Sequence, residues 1–147
     1  MYYPVFLDLR AKRVLVVGAG PVALRKVRGL LECEAKVTVV SPEALKDFET
    51  VPVKLHKRKF RQSDIQDQAL IFAATNDRVV NKKIAAAASR RGIPVNVADS
   101  PEECSFQVPS RIRRGNLQVA VSTSGRSPKL AVHLRKQIEA ILDGGDS

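Results

Sequence analysis

Apolar and polar positions along this chain follow two rhythms. A short unbroken apolar run at 14–17 gives way to Ala23, Val27, Leu30 and Leu31, spaced i, i+4, i+7 and i+8. That spacing puts one stripe of a helix against a core and predicts a helix over about 22–33. Lys36-Val-Thr-Val-Val-Ser41 is rich in β-branched residues and predicts a second strand, stopped by Pro42. Residues 43–52 leave room for only a short helix. Residues 53–59 predict a third strand, poorly alternating and charged, as suits a sheet edge. Ala69-Leu-Ile-Phe-Ala-Ala-Thr75 is continuously apolar and predicts a buried parallel strand. Asn76 or Asp77 then caps a helix that turns Val80, Ile84, Ala87 and Ala88 to the core and stops at Arg91-Gly92. Residues 93–97 and 117–122 predict strands five and six. A last helix over about 128–142 starts on Pro128 and carries Leu130, Leu134, Ile138, Ile141 and Leu142 on one side. The tail, residues 143–147, is expected to fray.

Strands alternating with helices imply an α/β fold: a doubly wound (Rossmann), mostly parallel sheet, here with a C-terminal segment ending in a helix. Residues 1–110 are read as the dinucleotide-binding domain, and 111–147 as the sixth strand plus C-terminal helix. Ligands of such sheets bind beyond the carboxyl ends of the strands. That rule selects residues 18–22, Ser41, residues 75–77, Asp99 and residues 122–127.

The most specific local signal is Gly18-x-Gly20-x-x-Ala23, set between a strand and a helix. In that context Gly18 serves the tight turn and Gly20 lets a pyrophosphate approach the backbone. Ala23 lets the helix sit close to the strand. Pro21 and Val22 open the helix, whose N-terminus offers unpaired N–H groups and a positive dipole end to phosphates. Strand two ends without an acidic residue to hold the ribose, so Ser41 is the candidate there. No arginine cluster stands at that turn, which favours NAD over NADP as cofactor.

Composition narrows the classes. A chain of 147 residues, 44% hydrophobic and 27% charged, describes a soluble globular protein with a real core. No apolar run approaches the ~20 residues of a membrane span, so no membrane role is expected. The N-terminus, Met1-Tyr-Tyr-Pro-Val-Phe-Leu-Asp8, lacks the basic and apolar regions of a signal peptide. Cys33 and Cys104 form no Cys-x-x-Cys pair, which fits a reducing cytoplasm and no zinc site. His56 and His133 have no ligand spacing, so no metal site is expected. The net charge of +10 points to an anionic partner. Nucleic acid is disfavoured: aromatics are 5% of the chain, Trp is absent, and no nucleic-acid motif appears.

Asp99 follows Val95-Asn-Val-Ala at the ligand edge. There it is either a general base or N–H acceptor, or a turn cap before Pro101. Ser122-Thr-Ser-Gly-Arg-Ser-Pro128 either cradles an anion or is a strand-to-helix loop capped by Ser127. Arg126, Lys129, His133 and Lys136 share one helix face, as a strip for acidic groups or simply a wet surface. Arg25 and Lys26 lie off the core stripe of the first helix, facing either phosphate or solvent.

Five blocks taken in order resemble one known family. They are Gly-Ala-Gly-Pro-Val-Ala-Leu-Arg-Lys, Ala-Ala-Thr-Asn-Asp, Val-Asn-Val-Ala-Asp, Cys-Ser-Phe-Gln-Val-Pro-Ser and Ser-Thr-Ser-Gly-Arg-Ser-Pro-x-Leu-Ala. Together they are similar to the precorrin-2 dehydrogenase family, the N-terminal part of siroheme synthases, over residues 3–142. The resemblance implies NAD-dependent oxidation of precorrin-2 to sirohydrochlorin. It maps the family's glycine loop onto Gly18, Gly20 and Ala23, its strand-four motif onto Thr75, Asn76 and Asp77, and its key aspartate onto Asp99. The polyanionic tetrapyrrole it implies suits the net charge of +10 with Arg111, Arg113, Arg114, Arg126 and Lys129 read near the ligand edge, and Ser122, Ser124 and Ser127 are the further substrate candidates. Asp99 is the best-placed base, and in the family the C-terminal segment builds a homodimer and covers substrate. Family members usually continue past the helix that Ser127 and Pro128 open, whereas this sequence ends at Ser147. On that ground the ferrous-iron insertion that some members add is expected to be weak or absent. The alternative reading is a module that senses NAD(H) without chemistry.

Overall fold

A computed structural model describes residues 1–145; residues 146 and 147, part of the tail expected to fray, lie outside the described residues. The chain divides into two compact units, one of residues 5–106, the other of residues 1–4 with the chain from residue 107 on.

The first unit is a five-stranded sheet in which every pairing is parallel. Its strands are β1 (Arg13–Val17), β2 (Lys36–Val40), β3 (Lys54–His56), β4 (Leu70–Ala73) and β5 (Val95–Val97), in the order β3-β2-β1-β4-β5. Two helices cover it, α1 (Pro21–Leu31) and α2 (Arg78–Arg90). Successive side chains leave a strand on opposite faces. Val14 and Val16 of β1, with Val37, Val39, Leu70 and Phe72, join Ala23, Val27 and Leu30 of α1 in one core. Leu15 and Val17, with Ile71, Ala73, Val95 and Val97, join Ile84, Ala85, Ala87 and Ala88 of α2 in another. Burial on both faces is why these strands read as unbroken apolar runs. β3 is the edge strand, three residues long and carrying Lys54 and His56.

Because β2 and β3 lie on one side of β1 and β4 and β5 on the other, the winding reverses between β1 and β4. A crevice beyond the carboxyl ends of those two strands is where such sheets bind ligands.

The second unit corrects one expectation. The segment expected as strand six does not extend the parallel sheet. It is β7 (Leu117–Val121), paired antiparallel with β6 (Ser110–Arg114) in a separate two-stranded sheet. The register pairs Arg114 with Leu117, so Gly115-Asn116 fills a two-residue turn, with Gly115 at φ +55°. Two-residue hairpins need positive φ in the turn, which glycine adopts without strain. A local hairpin also avoids the crossover of a dozen or more residues that a parallel partner requires. The third helix, α3 (Pro128–Gly144), completes this unit. Among its described residues only Ala131 is buried; Leu130, Leu134 and Ile141 stand exposed.

Candidate active site

The turn after β1 is built by close backbone approach. Gly18 has φ +110°, and its N–H donates to the carbonyl of Val40 at 2.9 Å. A Cβ there would lie 2.2 Å from the carbonyl oxygen of Ala74, so no side chain fits. Gly20 differs. It is the N-cap of α1 at φ −90°, and a Cβ on it would meet nothing within 4 Å. Open space in front of a helix N-terminus is what a pyrophosphate needs. Pro21 follows as the first helical residue, Val22 is exposed beside it, and no acidic residue stands in that first turn to repel an anion. Ala23 is fully buried against the sheet. This glycine turn and helix start therefore fit the phosphates of a dinucleotide.

After β2, Ser41 is buried and its hydroxyl donates to the carbonyl of Glu43 at 2.6 Å. Its proton is thereby committed locally, and lone pairs are what it has left for a ribose.

The loop from β4 to α2 is held by a residue that the sequence reading missed. Asn81 is fully buried on the core stripe of α2. Its side-chain oxygen accepts from the Thr75 N–H at 3.2 Å and from the Thr75 hydroxyl at 2.6 Å. Its side-chain nitrogen donates to the Thr75 carbonyl at 3.0 Å and to Oδ1 of Asp99 at 3.1 Å. A polar residue spaced with Ile84, Ala85 and Ala88 was the available signal, since a buried amide must find partners. Of the two capping candidates, Asp77 caps α2, its Oδ1 accepting from the N–H groups of Val79 and Val80. Asn76 is exposed in the same loop.

Asp99 sits two residues beyond β5, at the same carboxyl edge as Gly18 and Thr75. Nη1 of Arg78 donates to its Oδ1 at 2.7 Å, while Nη2 of Arg78 is paired with Glu103. The Arg78 guanidinium is held more firmly charged than usual, first by the Glu103 hydrogen bond and further by the charge of Asp99. Glu102, in the same turn, is pushed below its ordinary range chiefly by the Ser100 hydroxyl that donates to it at 2.6 Å.

Lys26 is turned away from solvent along α1. Its ammonium donates to Oδ1 of Asn96 at 3.0 Å and lies 5.2 Å from the centre of the Phe72 ring. Burial lowers its pKa from the usual lysine value, and neighbouring Arg25 lowers it further. Arg25 itself is exposed. Cys104 accepts the Val97 N–H at 3.1 Å and so fastens the turn that follows β5.

In the second unit, the loop 122–127 follows β7 of the antiparallel hairpin rather than a strand of the parallel sheet, which corrects the expectation of a sixth parallel strand before it. The loop is organised by its own hydroxyls. The Ser122 hydroxyl accepts the Ser124 N–H at 3.1 Å and the Thr123 hydroxyl accepts the Ser127 N–H at 3.0 Å. Ser127 caps α3 through the Leu130 N–H at 3.3 Å. Ser124 and Gly125 both have positive φ, and Arg126, Lys129, His133 and Lys136 are exposed. Among the described residues no cluster of histidine, cysteine or acidic side chains is placed to hold a metal ion, and no helix is long and apolar enough to cross a membrane.

Known proteins resemble this chain over nearly its whole length. A family model described as NAD(P)-binding matches residues 5–110, and one described as sirohaem biosynthesis protein central matches residues 114–141. The siroheme synthase of Nitrosomonas europaea is 45% identical over 146 residues, covering 96% of this chain and 31% of that protein. The siroheme synthase of Thioalkalivibrio sulfidiphilus is 43% identical over 145 residues, covering 96% and 30%. The chain thus spans about a third of the length of these relatives. A solved structure named SirC, precorrin-2 dehydrogenase, superposes with a TM-score of 0.80 at 32% identity, covering 95% of this chain and 70% of that one. With an NAD(P)-binding family model over residues 5–110 and a solved precorrin-2 dehydrogenase of the same fold at 32% identity, this chain belongs to the NAD(P)-binding family that includes precorrin-2 dehydrogenase.

Proposed function

We propose that this protein oxidises precorrin-2 to sirohydrochlorin with NAD. The single observation that supports this most is that one sheet edge gathers the glycine turn at 18–20, the Thr75 loop and the Asp99 carboxylate. Gly18, Gly20, Pro21, Val22 and Ala23 would hold the pyrophosphate. Ser41 and the loop of Thr75, Asn76 and Asp77 would hold the rest of the dinucleotide. When bound, the nicotinamide supplies the hydride acceptor. Asp99 takes the proton that leaves the macrocycle, as a general base.

The substrate carries many acetate and propionate groups, and a chain of net charge +10 attracts it electrostatically. Within the second unit, Ser122, Ser124, Arg126, Ser127 and Lys129 are assigned to those carboxylates. The exposed Leu130, Leu134 and Ile141 support a homodimer formed through α3. Two free cysteines suit a cytoplasmic setting.

The test is to mix the protein with precorrin-2 and NAD under anaerobic conditions and follow the absorbance of the macrocycle and of NADH. Sirohydrochlorin and NADH appearing in equal amounts is the expected result. Tight NAD binding with no turnover would instead indicate a module that senses the cofactor.

A further inference from the structure

The hydrogen bonds around Asp99 treat its two oxygens differently. Oδ1 receives two donors, Nη1 of Arg78 at 2.7 Å and Nδ2 of Asn81 at 3.1 Å. Oδ2 has no hydrogen-bond partner among the described residues. Each donor is itself fixed from behind. The second arm of the Arg78 fork is paired with Glu103, so the guanidinium cannot swing without breaking two contacts. Asn81 is fully buried, and all four of its hydrogen bonds are made, three of them to Thr75. We propose that Arg78 and Asn81 are positioning residues that clamp Oδ1 of Asp99 and leave Oδ2 as the oxygen that takes the proton.

This inference rests on the dehydrogenase reading above. Dehydrogenation removes a hydride and a proton from the tetrapyrrole. The hydride and its electron pair leave one C–H bond and reduce NAD to NADH. The proton leaves a second position for Oδ2 of Asp99, and the electrons of that bond form the new double bond. The macrocycle is oxidised by two electrons, and Oδ2 later returns its proton to water. A base used this way must present one lone pair at a fixed point, because misplacement of a reacting group by about 1 Å can cost on the order of 100-fold.

The clamp also joins two loops. Thr75, which follows β4 and is assigned to the cofactor, and Asp99, which follows β5, hang from the same buried amide. Asn81 thus sets the base against the cofactor loop. Arg78 contributes little to stability, since its side chain and that of Asp99 are 43% and 39% exposed and solvent screens the pair. Substitution there separates positioning from folding.

The experiment compares Arg78→Ala, Arg78→Lys and Asn81→Ala with the parent chain in the precorrin-2 assay. Arg78→Ala should lower kcat about 10-fold to 100-fold with the KM for NAD changed less than about threefold. Arg78→Lys should recover part of the loss, and millimolar guanidinium should restore Arg78→Ala several-fold without helping Asp99→Ala. A structural role alone would show neither rescue. A readout free of turnover goes with it: in the 15N-labelled protein without cofactor, the Asn81 side-chain amide should be slow to exchange and should shift in Asp99→Ala. Parent-like kcat in Arg78→Ala, or an Asn81 amide indifferent to Asp99→Ala, overturns the clamp. If Asn81→Ala does not fold, Arg78→Ala and the amide measurement decide. If Asp99→Asn itself keeps full activity, the base assignment has failed, an outcome distinct from loss of the clamp around a working base.

Discussion

The α-carbon of Gly18 and the carbonyl oxygen of Ala74 face each other so closely that a Cβ on residue 18 would stand 2.2 Å from that oxygen. The contact joins the end of β1 to the end of β4, the two strands between which the winding reverses. Gly18→Ala must both displace the backbone after β4 and place an alanine at φ +110°. The expected loss is about 2–4 kcal/mol of stability. Urea denaturation should show a lower midpoint, and a midpoint equal to the parent's would mean the turn is looser than described.

Gly20→Asp should behave in the opposite sense. Its Cβ meets open space and its φ of −90° suits any residue, so the fold should stand. A carboxylate in front of α1 would occupy and repel the pyrophosphate, and calorimetric titration should detect no NAD binding. Unchanged binding by a folded variant would remove the glycine turn from the cofactor site.

Asp99→Asn keeps the shape of the side chain and loses the proton acceptor. Turnover should fall at least ~100-fold, as general bases typically contribute 10²–10⁴-fold, with NAD affinity little changed. Activity within a factor of about three of the parent would reduce Asp99 to an anchor for Arg78 and Asn81.

Lys26 gives a pH dependence whose sign is fixed by its burial. Its folded pKa lies below the unfolded value near 10.5, because the charged form is penalised in place. Below the folded pKa both states carry the proton and the penalty is complete. As pH rises from the folded pKa toward 10.5 the folded state binds fewer protons than the unfolded, so the penalty fades and stability rises. Measured against Lys26→Met, which has no proton to lose, the parent chain should gain stability across that alkaline window. Parallel denaturation curves at pH 8 and above test this, and a difference that is flat or falls with pH would contradict it.

The dimer makes a simple demand. At micromolar concentration the chain should sediment as two copies, and Leu134→Glu with Ile141→Glu should yield a folded monomer. A parent chain that sediments as one copy would leave the apolar side of α3 without its proposed cover.

The pattern of residues alone was enough to determine the parallel α/β sheet and its glycine turn. Strands buried on both faces announce themselves as apolar runs, and Gly18-x-Gly20-x-x-Ala23 is a local feature whose meaning needs only the strand before it and the helix after it. The hairpin was legible in principle, in Gly115-Asn116, but Arg111, Arg113 and Arg114 disguise its first strand as a charged loop. Once that strand formed, Leu117–Val121 had a nearby antiparallel partner and no need to cross to the sheet. The fate of individual polar groups was decided only in three dimensions. Asn81 and Asp99 are 18 positions apart and hydrogen-bonded, Arg78 pairs with Asp99 and Glu103 at once, and Lys26 looks like an exposed helix charge until Asn96 and Phe72 are packed beside it. Periodicity records which side of an element is buried, whereas a hydrogen bond depends on which elements meet, and that is settled when the sheet is assembled.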